Sequence, residues 1–311
     1  WVSAPDPRGA GPADDALEGR QGFWFRRVYL TYDQRFTPRL TARLRLEANS
    51  AGDFVSNARL EPFVKDAYVQ GSVRGHVVAV GLVPTASLRL TEQMWGLRSV
   101  EKTPVDLFRF DSSRDLGVLV SGPLAASGRW RYEFQAGNGA GVSSETNDAK
   151  TVRGAISYEA SRGLTAQAYA DHQARSEAGD WTSVKLLAAW REPRWRVGGV
   201  YAFQRRRGLG HAGRPLDLDL LSVFGTAAVH GRVNLFGRVD RVFDALPDAA
   251  DVDYLPLSGA AAPTVVVAGV DIAIEGPLRL QPHVQVVSYR GEGEATPGPT
   301  VVPRVTLALS W

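Results

Sequence analysis

Cysteine is absent from the 311 residues, which removes disulfide staples, thiolate metal sites and a cysteine nucleophile. Lysine is scarce: of 36 basic residues only Lys65, Lys102, Lys150 and Lys185 are lysine, and arginine supplies the rest. Methionine occurs once, at Met94, and the chain opens at Trp1, so a trimmed chain that has lost any targeting segment is expected. Long hydrophobic runs are missing as well. The best, 264–274, is interrupted by Asp271 and falls short of the roughly 18 residues a membrane helix needs. Helical spans are thereby excluded, but barrel strands, which cross in about ten alternating residues, are not. The five histidines, His76, His172, His211, His230 and His283, are scattered, and no nucleophile elbow, His-Glu-x-x-His pair or phosphate loop is present. No catalytic set, metal or cofactor is therefore expected. Basic residues dispersed along the chain also speak against nucleic acid.

What the sequence has is alternation. In 39–48, Leu40, Ala42, Leu44, Leu46 and Ala48 form an apolar row, and Arg39, Thr41, Arg43, Arg45 and Glu47 a polar one. Period two puts these rows on opposite faces of a strand. The same interleaving marks 129–136, 164–171, 231–240 and 304–311. Strands are expected at 22–33, 39–50, 63–74, 76–84, 115–124, 129–138, 151–161, 164–174, 181–191, 195–206, 216–229, 231–243, 264–275, 278–290 and 300–311.

The connections sort by length. Short, turn-rich ones ("RG", "SRG", "REPR", "HG", "EGP") alternate with long ones at 51–62, 85–114, 139–150, 175–180, 207–215, 244–263 and 291–299. A meander with one tight end and one loopy end is the form of an outer-membrane barrel. No amphipathic helices are offered to cover the apolar rows, so lipid outside and water inside is the arrangement that satisfies both rows and leaves no open edge. Aromatic residues near strand ends suit interfacial girdles. Bacterial barrels normally hold an even number of strands. The fifteen read here therefore predict an all-β, transmembrane, antiparallel up-and-down barrel of sixteen strands, a single domain over 1–311. Its first strand would be cut short, with 1–21 as a remnant and outer loop. The acid-rich 244–253 reads as a solvated outer loop.

Several segments resemble the phosphate-selective porin O and P family of Gram-negative outer membranes: "GFWFRRVYLTYDQRFTPRLTARLRLEA" (22–48), "VKDAYVQ" (64–70) with "VAVGLVP" (78–84), "SSRDLGVLVSG" (112–122), "YEFQAGNGAG" (132–141) and "FGRVDRVFD" (236–244). The resemblance implies a homotrimer of sixteen-stranded barrels in the outer membrane, passing small anions, with a long third loop folded into the lumen. The carboxy-terminal "RVTLALSW", ending in Trp311, resembles the signal read by the barrel assembly machinery. The family's lysine-rich phosphate cluster has no counterpart here.

The apolar rule places Arg27, Arg39, Arg43, Arg45, Arg129, Arg131, Arg153, Lys185, Arg196 and Arg238 on the pore wall, with Arg191, Arg232, Arg279 and Arg304. Inward acids, Glu47, Glu133, Glu159, Asp171, Asp219, Asp240 and Asp271, are about half as many. The 85–114 loop brings Arg89, Arg98, Lys102, Arg109 and Arg114, with apolar anchors Leu90, Met94, Trp95, Leu97, Phe108 and Phe110 that suit a loop tucked inward. A wall of this sign raises the local anion concentration, so passive diffusion of small hydrophilic solutes with weak anion preference is expected. A non-conducting barrel serving as an anchor or partner, and an outer-membrane hydrolase, are the other readings.

Overall fold

The computed structural model describes residues 19–310 apart from 53–58, 161, 176–178, 209–213, 250–251, 253, 256 and 291–295. Trp311, and the strand remnant expected near Trp1, lie outside the described residues. Fifteen strands form one sheet in which each pairs antiparallel with the next. They are β1 (Val28–Thr37), β2 (Leu40–Ala48), β3 (Phe63–Val73), β4 (His76–Pro84), β5 (Arg114–Pro123), β6 (Trp130–Gly137), β7 (Thr151–Glu159) and β8 (Leu164–Gln173). The rest are β9 (Trp181–Arg191), β10 (Trp195–Arg206), β11 (Leu216–His230), β12 (Val233–Val242), β13 (Ala262–Glu275), β14 (Leu278–Arg290) and β15 (Thr300–Ala308). Two short helices, α1 (Arg89–Trp95) and α2 (Pro104–Leu107), lie in the connection between β4 and β5.

The alternation read from the sequence becomes two faces. On β7, Thr151, Arg153, Ala155 and Ser157 are buried, whereas Val152 and Ile156 are exposed on the outside. On β8 the buried row is Thr165, Gln167, Tyr169, Asp171 and Gln173. The inner face is therefore polar here and the outer face apolar, the inverse of a soluble sheet.

The wall wraps around the β4–β5 connection. Arg153 on β7, Lys185 on β9, Arg238 on β12, Gln285 on β14 and Arg27 ahead of β1 all reach it from different sides. Among the described residues β1 and β15 are the two edges of the sheet, and Tyr29 and residues 302–310 line one cavity. Both edges run toward the tight-turn end, so antiparallel closure takes one further strand running the other way.

The first strand departs from expectation. Its ladder begins at Val28 instead of near residue 22, and it continues to Thr37. The hydroxyl oxygen of Thr37 accepts from the backbone N–H groups of Arg39 (3.2 Å) and Leu40 (3.0 Å), closing the turn at Pro38–Arg39 and letting the strand run on. Residues 22–27 form no ladder, although the Ser50 N–H donates to the Phe25 carbonyl at 2.9 Å.

The inner wall is not polar all round. Leu187, Val200, Ala202, Leu218, Leu220, Phe224, Val265, Val267 and Val287 face inward and form one core with the helices. Asp219, expected inward, lies on the other row of β11 from buried Leu218 and Leu220, and its carboxylate accepts from the Tyr201 hydroxyl at 2.5 Å. The stretch 244–253, expected in solvent, instead turns described residues inward: Leu246, Ala249 and Val252 are buried in that core, as are Leu255 and Leu257 beyond it.

Candidate functional site: a basic passage beside an inward loop

The 85–113 loop is seated by packing and by charge. Trp95, fully buried, meets Phe224 and Phe236 edge-on at 5.8 and 6.3 Å, and the Arg238 guanidinium lies 4.8 Å from its ring centroid. Its indole N–H donates to the Glu101 carbonyl at 3.0 Å. Arg238 donates to the Lys102 carbonyl at 2.6 Å. α1 ends at Gly96, whose φ of +69° is the left-handed cap glycine takes easily. At the loop's other end Asp111 takes a two-pronged bond from Arg153 (2.9 and 2.8 Å) and a hydroxyl bond from Ser87 (2.6 Å). Lys185 donates to the Thr91 hydroxyl at 3.1 Å and to the Ser87 carbonyl. Buried charges held this way are costly to break from one side.

This seating consumes part of the expected pore wall. Arg153, Lys185 and Arg238 are each 1 % exposed and bonded to the loop or its supports. Arg114 is buried against Asp66. Arg89 pairs with Glu133 at 2.9 Å. Arg43 pairs with Asp33 (2.7 and 2.9 Å), and Arg45 donates to Thr31 at 2.9 Å and faces Asp66 at 3.4 Å. Arg39 and Arg129 sit exposed beside tight turns, and Arg131 is half-buried just inside one. Arg109, exposed on the loop at φ +58°, presents its carbonyl to Arg206 at 3.4 Å.

The remaining basic residues converge. A polar cavity of about 180 Å³ is lined by Arg26, Arg27, Lys65, Arg98 and Lys102, facing Glu47 and Asp106. A larger chamber of about 1390 Å³ is lined by nine arginines, Arg20, Arg26, Arg27, Arg98, Arg191, Arg194, Arg196, Arg279 and Arg304, and two carboxylates, Glu192 and Asp271. Arg26, Arg27 and Arg98 belong to both linings, so they form the boundary between them.

Several of these cations have uncharged partners. Arg27 donates to the Arg98 carbonyl at 2.8 Å, Arg196 to the Trp95 carbonyl at 2.7 Å, and Arg191 to the Gln93 carbonyl at 3.0 Å. A neutral carbonyl partner leaves the guanidinium charge uncompensated by that bond. Glu47 is shared between Lys65 (3.0 Å) and Arg27 (3.6 Å), while Arg98 pairs with Asp106 at 3.2 Å and with Glu92. Burial pushes the Lys102 ammonium below its ordinary pKa, with Asp106 opposing. Burial works on Asp106 too, but Arg98 and Lys102 outweigh it and hold that carboxyl low.

Two residues of this cluster escaped the alternation rule. Lys65 points inward because the register shifts between Arg45↔Asp66 and Leu46↔Val64, a bulge that buries Lys65 and Asp66 together. Arg26 escapes because it precedes the first ladder residue, so strand parity does not govern it. The mismatched charge rows at 43–47 and 64–66 were the available signal for the first, and nothing local signalled the second.

No protein-family model and no curated protein matches the sequence. Solved structures do match the fold. The anion-selective porin from Comamonas acidovorans aligns with a TM-score of 0.60 at 13 % identity, covering 91 % of this chain and 89 % of that one. The outer-membrane OmpT of Vibrio cholerae gives 0.59 at 12 % identity with the same coverage. OmpF of Salmonella typhi, in complex with daunomycin, gives 0.56 at 12 %, again with that coverage. At these identities the likeness is one of fold: the chain has the up-and-down barrel architecture of outer-membrane porins.

Proposed function

We propose that the chain is an outer-membrane channel for passive diffusion of small hydrophilic solutes, with a weak preference for small anions, acting as a homotrimer and not as an enzyme. One observation carries this reading: Arg26, Arg27 and Arg98 lie where the two cavities meet, so a solute moving between them passes three guanidinium groups. The preference is weak because most of the charge is spent locally. Around the smaller cavity five cations (Arg26, Arg27, Lys65, Arg98, Lys102) meet four carboxylates, Glu47, Glu92, Glu101 and Asp106, a surplus of one. The chamber, with its carbonyl-held arginines, supplies the broader positive field that concentrates anions at the passage. Phosphate and other small oxyanions fit this lining, and arginine forks suit their oxygens.

The test is the reversal potential of the purified protein in planar bilayers under a KCl gradient. Anion preference is expected, and Arg27→Gln together with Lys65→Gln should move the potential toward zero. Cation preference in the parent protein sinks the proposal. Zero conductance from a folded barrel would favour a structural anchor instead.

A further inference from the structure

We infer that Glu101 is a positioning residue for selectivity: buried out of the passage, it holds Arg26 across the boundary between the two cavities. The inference rests on the channel reading above. Glu101 is fully buried, yet its carboxylate is the point where four parts of the chain meet. Oε1 accepts from the Arg26 guanidinium (3.4 Å), the Tyr254 hydroxyl (2.7 Å) and the Lys102 backbone N–H (2.7 Å), while Oε2 accepts from the Gln285 amide (2.7 Å). These partners come from the segment ahead of β1, the β12–β13 connection, the inward loop and β14.

Arg26 is the only one of these partners that also lines both cavities. Its guanidinium carbon stands 3.7 Å from the Tyr254 ring centroid, so the ring supports one side and Glu101 the end. Residues 22–27 belong to no strand, and the backbone tie nearest Arg26 is the Ser50 N–H donating to the Phe25 carbonyl at 2.9 Å. Long side chains without such supports sample many rotamers. The bond at Phe25 holds the backbone but not the Arg26 side chain, and Glu101 and Tyr254 are what fix its guanidinium end. The carboxylate sits behind Arg26, so its own charge reaches a passing ion mainly through where it puts that guanidinium.

Positioning and plain charge predict opposite signs, and that decides the experiment. Five proteins are compared for reversal potential and single-channel conductance: parent, Glu101→Ala, Glu101→Gln, Arg26→Gln and the Glu101→Ala/Arg26→Gln double variant. Glu101→Ala should reduce the anion preference about as far as Arg26→Gln does, although it removes a negative charge. Glu101→Gln keeps an acceptor for Arg26 and should stay close to the parent. The double variant should be no worse than either single, as expected of residues acting as one unit. Conductance should stay within about twofold throughout, because the loop remains in place.

An anion preference that rises equally in Glu101→Ala and Glu101→Gln overturns the inference, since that is a charge effect alone. So do shifts that add in the double variant, or a several-fold conductance rise that marks release of the loop. If the parent protein prefers cations or does not conduct, the channel reading falls and this inference with it. If the parent prefers anions and Glu101→Ala matches it, the inference alone falls.

Discussion

At the scale of single residues, the loop's seat depends on one glycine for two separate reasons. Gly96 ends α1 at φ +69°, and a Cβ there would stand 2.6 Å from both terminal nitrogens of Arg196. Gly96→Ala therefore pays backbone strain and pushes Arg196 off the Trp95 carbonyl it holds. The combined cost should be about 1–3 kcal/mol. Urea unfolding in detergent, followed by tryptophan fluorescence, should show the lowered midpoint. Channel recordings should show more frequent current steps as the α1 end loosens. A midpoint equal to the parent's would mean that Arg196 moves aside freely. Asp111 is the counterpart at the other end of the loop. Burial raises its pKa, but the Arg153 guanidinium more than offsets this and keeps the carboxyl below its ordinary range.

At the scale of elements, the inward loop and the wall it covers are one packing unit. Trp95 has no exposed surface and touches two aromatic rings of the wall, so Trp95→Ala opens a large cavity between them. A loss of about 3–5 kcal/mol is expected, read as a lower unfolding midpoint. New binding of a hydrophobic dye to the refolded barrel should report the uncovered apolar wall on β9 to β14. The sequence made this unit only partly legible. Apolar anchors at Leu90, Met94, Trp95, Phe108 and Phe110 announced a loop with something to bury. Their counterpart was hidden, because Leu218, Leu220, Val265 and Val267 sit in strands with apolar residues on both faces. Where both rows are apolar, alternation cannot say which faces lipid. The same limit explains Asp219, assigned inward by contrast with its leucine neighbours when the leucines themselves point inward. Where one row was charged, as on β7 and β8, the two faces were read correctly. Of the candidate site, the inward loop was legible in its apolar anchors, as was the abundance of arginine. Its members Lys65 and Arg26 were not, since a bulge and a missing ladder each break the parity on which the reading depends. The inward packing of Leu246, Ala249 and Val252 was hidden by the acids around them: Asp248 pairs with buried Arg206 at 2.6 Å instead of facing water.

At the scale of the whole molecule, the passage should tolerate acid. Burial would raise the Glu101 pKa, but Arg26 and Arg238 outweigh it and bring it from 4.5 down to about 2. A folded-state pKa below the unfolded value gives stability that is complete above about pH 4.5. That stability is lost as pH falls through about 2. Selectivity and conductance recorded at pH 7 and pH 4 should therefore agree. A preference that already collapses at pH 4 would show that another carboxyl governs the boundary.

Residues 19–27 run directly into β1 and carry Arg26 and Arg27 to the boundary between the two cavities. Those two guanidinium groups stand on a tether whose nearest peg is the Ser50 N–H, which donates to the Phe25 carbonyl at 2.9 Å. A shift in the pairing of β1 with β2 is therefore carried to both cations at once: the register of one hairpin sets their height.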